Sequence, residues 1–137
     1  MAVRVVTDSS ADLPAALIEE LGIAAILHDI ARPASPDHAR DSAKEAKRML
    51  EELSYPKDKI ERVAHAIEAH SFSSGVAPQT LEAKILSDAD KLDAMGAIGI
   101  FRACVYAAER GMGLEAVQKH LEEKLLKLKD LMQTELG

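Results

Sequence analysis

The chain has 137 residues, 47% of them apolar, which suits one compact domain with a core of its own. Its formal net charge of −6 excludes a sequence-independent grip on a nucleic acid polymer, which relies on Lys and Arg clusters; nucleotides held through a metal ion stay within reach. The single cysteine, Cys104, excludes an internal disulfide framework, and its apolar helical setting predicts a buried, unreactive thiol.

Residues 3–7 form a run rich in β-branched side chains. Asp8-Ser9-Ser10 closes it with residue types that end strands, and it is the one predicted strand. A lone strand leaves backbone groups unpaired, which predicts a homodimer joined partly through residues 3–7. No basic region followed by an apolar segment opens the chain. The longest apolar stretch, 94–108, is interrupted by Arg102 and falls short of the roughly 20 residues that span a bilayer. A cytoplasmic protein with no membrane partner is expected.

Pro14 fits the first turn of a helix that stops at Gly22, about two turns long. If Gly22 is absorbed instead, at about 1 kcal/mol relative to Ala, the helix continues over 14–31. His28-Asp29 then sits inside the apolar run 24–31, where two polar, metal-capable groups need compensation; a metal ion is one. Residues 32–36, Arg-Pro-Ala-Ser-Pro, read as a loop, with Ser35 capping a helix from Pro36 to about Leu53. Tyr55-Pro56 breaks the chain, a helix runs from about Lys57 to His70, and 71–78 is a Ser- and Gly-rich loop.

Thr80 opens a long helix, with Leu81, Ile85, Leu92 and Met95 at helical intervals facing the core. Gly96 and Gly99 give it a flat surface for another helix. Gly111-Met112-Gly113 turns the chain into a last helix striped by Leu114, Val117, Leu121, Leu125 and Leu128. Its other face carries Glu115, Lys119, Glu122, Glu123, Lys127 and Lys129, a solvated charged surface. The fold class is mostly α: a bundle of about five to six helices with one N-terminal β-strand.

Residues 85–94 read Ile-Leu-Ser-Asp-Ala-Asp-Lys-Leu-Asp-Ala and place three carboxylates on one helix. At 100° per residue, Asp90 and Asp93 lie about 60° apart and Asp88 about 160° from Asp90, so the three cannot converge on one ion. With His28-Asp29, Pro33, Asp37-His38-Ala39, Ser42-Ala43, His65-Ala66-Ile67 and His70-Ser71-Phe72-Ser73, this string resembles the HD superfamily of metal-dependent phosphohydrolases. The resemblance runs over about residues 23–111 and is to the branch of small bacterial and archaeal proteins.

It implies an HD-like helical bundle with an ion held by His28, Asp29 and Asp90, Asp88 being the fallback and Asp93 orienting Asp90, Lys91 or a water. Asp29 either binds one ion or bridges two. Such a donor set suits divalent Mn, Fe, Co, Ni, Zn or Mg without naming one. Hydrolysis of a phosphate ester or anhydride follows, in a phosphorylated small molecule or a nucleotide. Catalytic roles fall to Asp29, Lys91 and His70, and substrate contacts to Arg32, His38 and His65; ligation of a second ion, or of the place left by a missing ligand, is the other role the resemblance implies for His38, His65 and His70. An ion pair with Glu61, one turn away, accounts for His65 equally well, and Arg32 and Lys91 are either phosphate contacts or salt-bridge partners. His120, among charged residues, is expected to be exposed.

Residues 3–22 resemble the opening strand, Thr-Asp-Ser-Ser loop and first helix of the DegV family of fatty-acid-binding proteins. HD proteins generally order their ligands His, His-Asp, Asp, and no His precedes His28. The two resemblances meet near Gly22-Ile23. They predict a chimeric chain, or a naturally truncated HD protein, with a strand-helix segment at 1–22 and a helical domain at 23–137 lacking its usual first helix and first His, folded as one compact unit. The expected function is a weakened or inactive phosphohydrolase. The alternatives are an engineered or recombinant chimera without catalytic function and lipid binding through the DegV-like segment.

Overall fold

The structure is a computed structural model that describes residues 15–32 and 37–135. Among these residues it contains six helices, α1 (Ala15–Leu27), α2 (His38–Glu52), α3 (Lys57–His70), α4 (Leu81–Ala94), α5 (Gly96–Glu109) and α6 (Leu114–Glu123). Two 3-10 segments, Phe72–Ser74 and Leu125–Leu131, complete the order. No strand occurs among the described residues. The predicted strand at 3–7, the dimer through it and the Ser35 cap lie outside them. Two compact units divide the chain, Met1–Leu86 and Ser87–Gly137, with the boundary inside α4.

In the first unit α2 and α3 form the main helix pair, and α1 lies on α3. The α3 positions Ile60, Val63, Ala64 and Ile67 follow the i, i+3, i+4, i+7 spacing of a single buried face. They meet Ala43, Ala46 and Leu50 of α2, Ala24 of α1, and Ala83 and Leu86 of α4 in a core built largely of alanine. The outer face of α2 carries short-range ion pairs such as Arg48 with Glu45 and Glu52, which water and salt screen and which add little to stability.

Gly22 is absorbed into α1, because tertiary burial of Leu17, Glu20 and Ala24 outweighs the modest propensity cost of one interior glycine. The helix nonetheless ends at Leu27, so His28-Asp29 lies in the turn that follows it and not within a helix. The turn closes through Ile30 N to Leu27 O at 3.2 Å and Arg32 N to Asp29 O at 3.0 Å.

Thr80 caps α4 as expected, its Oγ1 accepting the Ala83 N–H at 3.3 Å. Thr80→Ala is expected to destabilise the first unit by about 1 kcal/mol, read as a lower urea midpoint with unchanged slope.

The predicted long helix is two helices. Met95 turns extended and Gly96 takes φ +76°, a left-handed conformation that suits glycine. A Cβ on Gly99 would lie 1.8 Å from the Ala94 carbonyl oxygen, so this glycine serves the local fold-back of α5 on the end of α4, not the approach of another element. Leu81 and Leu92, expected in the core, are exposed, and Cys104 is half-buried.

The last helix is also shorter than predicted. It stops at Glu123 and the chain continues as the 3-10 segment, whose period of three keeps Leu125 and Leu128 on one buried face. Leu114 is exposed. Within the second unit Asp88 is buried, accepting N–H bonds from Gln133 and Thr134 at 2.8 Å each and the Thr134 hydroxyl at 2.7 Å. No helix among the described residues is long and apolar enough to cross a membrane.

Candidate metal centre

Three elements of the first unit meet at one place: the turn after α1, the start of α2 and the end of α3. The turn is anchored to α2 by the Ala31 N–H, which donates to the fully buried Ser42 hydroxyl at 3.0 Å. On either side of Asp29, an imidazole uses a carbonyl left over at a helix end. His28 Nδ1 donates to Ala25 O at 2.8 Å, and His70 Nδ1 donates to Ile67 O at 2.5 Å. Donation from Nδ1 leaves Nε2 with its lone pair, the form in which imidazole ligates a metal.

Asp29 Oδ1 lies 3.5 Å from His38 Nε2 and 3.7 Å from His70 Nε2. The other oxygen, Oδ2, is 3.6 Å from His28 Nε2 and is paired with the Arg32 guanidinium. The His28 and His70 rings stand edge to face with centroids 4.9 Å apart, and His38 and His70 are 5.6 Å apart. His70 is 1% exposed, while Asp29 and His38 are half-buried.

One observation tests whether these residues fit an ion. Asp29 Oδ1 is buried without a hydrogen bond, in a place where leaving a carboxylate oxygen unsatisfied is costly. Donor atoms of Asp29, His38 and His70 all lie within 4.8 Å of one another. A divalent cation among them would satisfy the carboxylate oxygen, and mixed nitrogen and oxygen donors suit borderline transition metals. The residues fit.

Arg32 is exposed beside Asp29. His65 Nε2 accepts the Gln79 N–H at 3.0 Å, at a groove of about 430 Å³ between α2 and α3 that Arg40, Lys47 and Glu68 also line. Glu61, its suggested ion partner, pairs with Lys47 at 2.6 Å instead. Asp90 is half-buried on α4. Lys91 is buried, its amine donating to the Ser87 hydroxyl at 2.5 Å and carbonyl at 3.2 Å, and burial pulls that amine below the usual lysine range against the pull of Asp88 and Asp90.

Asp88 spends both oxygens on residues 133–134, which removes the fallback ligand. Asp93 is exposed and pairs with Arg102 at 2.7 Å. His120 is exposed, as expected. The sequence reading missed the anchoring role of Ser42, although a lone hydroxyl among Ala39, Ala43 and Ala46 on the buried face of α2 was its visible signal.

The family profile described as HD domain matches residues 9–95. The chain belongs to the HD-domain family. HD domains bind divalent metals, in keeping with the His and Asp cluster of the first unit. Residues 9–22 fall inside the HD match, so the DegV resemblance and a splice near Gly22-Ile23 gain no support from it.

This HD domain is 38% identical over 120 residues to the uncharacterized protein YpgQ of Bacillus subtilis (strain 168), covering 82% of the present chain and 58% of YpgQ. It therefore spans less than two thirds of that relative. The crystal structure of Bacillus subtilis YpgQ in complex with ADP matches with a TM-score of 0.66 and 35% identity over 85% of this chain and 61% of the other. A second YpgQ crystal structure matches with a TM-score of 0.57 and 27% identity, over 86% and 75% of the two chains.

Proposed function

We propose that this HD domain is a metal-dependent phosphohydrolase scaffold acting on a nucleotide or a phosphate ester. The observation that carries the proposal is the buried Asp29 Oδ1, unsatisfied and facing His38 Nε2 and His70 Nε2. Asp29, His38 and His70 would hold the ion, which is Mn, Ni, Co, Fe, Zn or Mg. His28 and Asp90 join the proposed donors on the sequence pattern of the family. When bound, the ion supplies positive charge for the phosphoryl oxygens and lowers the pKa of a bound water.

The chain's own residues do the rest. Ser42 fixes the turn that presents Asp29, and Ala25 O and Ile67 O fix the ring planes of His28 and His70. Arg32, exposed beside Asp29, meets phosphate oxygens with a planar guanidinium suited to them. His70 is too buried to reach a leaving group directly, so its proposed role is as a donor to the ion. Lys91 is assigned no step.

Support for a nucleotide comes from the relative YpgQ, whose crystal structure holds ADP. The test is inorganic phosphate release from ADP and from a simple aryl phosphate with Mn and with Ni, against an EDTA control and Asp29→Ala. Release that needs metal and Asp29 is the expected result. Equal release by Asp29→Ala, or none with either metal, would overturn the hydrolase assignment.

A further inference from the structure

Away from the candidate centre, one guanidinium joins two buried carboxylates. Arg62, in the middle of α3, lies with Nε 2.9 Å from Glu20 Oε2 on α1 and donates through Nη2 to Glu82 Oε1 in the first turn of α4. Glu20 is 1% exposed and Glu82 2%. No well-aligned hydrogen bond reaches Glu20 Oε2, and desolvation pushes the Glu20 carboxyl above the usual range. A buried arrangement of this kind is a poor source of stability, since apolar residues of similar volume often do as well or better. What it does supply is position.

Glu20 precedes His28 by eight residues, and Arg62 precedes His70 by eight residues. At 1.5 Å per residue, α3 runs about 12 Å from Arg62 to His70 and α1 about 10 Å from Glu20 to its last residue, Leu27, after which the turn brings the His28 ring against that of His70. A second link beside the first holds the same level: Glu19 accepts from the Tyr55 hydroxyl at 2.8 Å and from Lys59 Nζ at 2.9 Å. A slip of α1 along α3 by one residue would shift Asp29 by about 1.5 Å, a large part of its 3.7 Å separation from His70.

Building on the ion-binding role assigned to Asp29, His38 and His70, we propose that Arg62 is a positioning residue for that centre, holding α1 and α3 in the register that brings Asp29 against His70. It acts through Glu20 and touches neither ion nor substrate. Glu82 fixes the third corner of the same clamp.

The test compares Arg62→Met, Arg62→Lys and Glu20→Gln with the native chain. Calorimetric Mn affinity, measured below the unfolding transition, is expected to fall roughly tenfold or more in Arg62→Met, the scale on which supporting residues tune a metal site. Arg62→Lys should recover part of that loss, because it restores charge to one carboxylate. The urea midpoint should fall in Arg62→Met, which leaves two buried carboxylates without their partner, so affinities are compared without urea, where each variant is folded. Native Mn affinity in a folded Arg62→Met would overturn the proposal. Should Arg62→Met fail to fold, Glu20→Gln, which keeps shape and loses charge, is expected to show the same direction of change, and unaltered affinity in it would be equally fatal.

A readout without metal separates this proposal from the reading of the centre itself. The ring-proton NMR shifts of His28 and His70 in the ion-free protein should move in Arg62→Met and stay put in a surface control, Lys44→Met. If the native chain binds no Mn, the metal centre fails, and the shifts still decide the positioning role.

Discussion

Asp29→Asn is expected to abolish the rise in thermal midpoint that Mn produces and to lower metal-dependent phosphate release on the order of 10²- to 10³-fold, equivalent to several kcal/mol of transition-state stabilisation. The substitution keeps the volume of the side chain and removes its charge. Two imidazoles and an amide then face one another, a far weaker set for a divalent ion than one that includes an anionic oxygen. Without metal the sign differs. The native carboxylate holds Oδ1 buried and unsatisfied, and its Arg32 pair is largely exposed, so its loss removes one cost and one small gain. Ion-free Asp29→Asn should therefore match the native chain within about 1 kcal/mol in urea. A variant that is much less stable without metal, or one that still responds to Mn, would contradict this assignment of Asp29.

Ile67→Ala is expected to cost the first unit about 2–5 kcal/mol, the range for removing several buried carbons from a close-packed core. Ile67 is fully buried on α3, among the alanines of α2 and α3, which have no side-chain torsion with which to fill the space. Its carbonyl also orients His70, so part of the damage should appear as weaker Mn binding at low urea. Leu114→Ala provides the contrast: Leu114 is 82% exposed, and its truncation should stay within about 0.5 kcal/mol. A small loss for Ile67→Ala, or equal losses for the two variants, would mean that the α2 and α3 interface is not the core of this unit.

The helix at 57–70 was legible to the residue, because Pro56 sets its start and a strict apolar face runs to His70. The helix at 81–94 was legible only at its start. Thr80 is a local signal, whereas the break at Met95-Gly96 depends on a left-handed glycine and on the close approach of Gly99 to Ala94, which the apolar pattern across the break does not reveal. The last helix failed for a related reason: leucines spaced by three and four fit an α-helical stripe and a 3-10 face alike until the backbone chooses. At the site, the His28-Asp29 doublet was conspicuous as polar residues in an apolar run. The joining of His38 and His70 at Asp29 was not, since it arises from how α2 and α3 meet the turn, and sequence spacing carries no trace of that meeting. Asp88 misled because its partners lie 45 and 46 residues away.

The alanine-built core of the first unit bears on how this sequence can drift. Ala46 and Ala66 are fully buried between helices, and a methyl group has no torsion to adjust when a neighbour grows. Any larger residue at these two positions must push whole helices apart, and the displacement reaches the turn that carries Asp29. Permissible exchange there narrows to glycine, so variation among functional descendants should be poorest at residues that have no chemistry of their own.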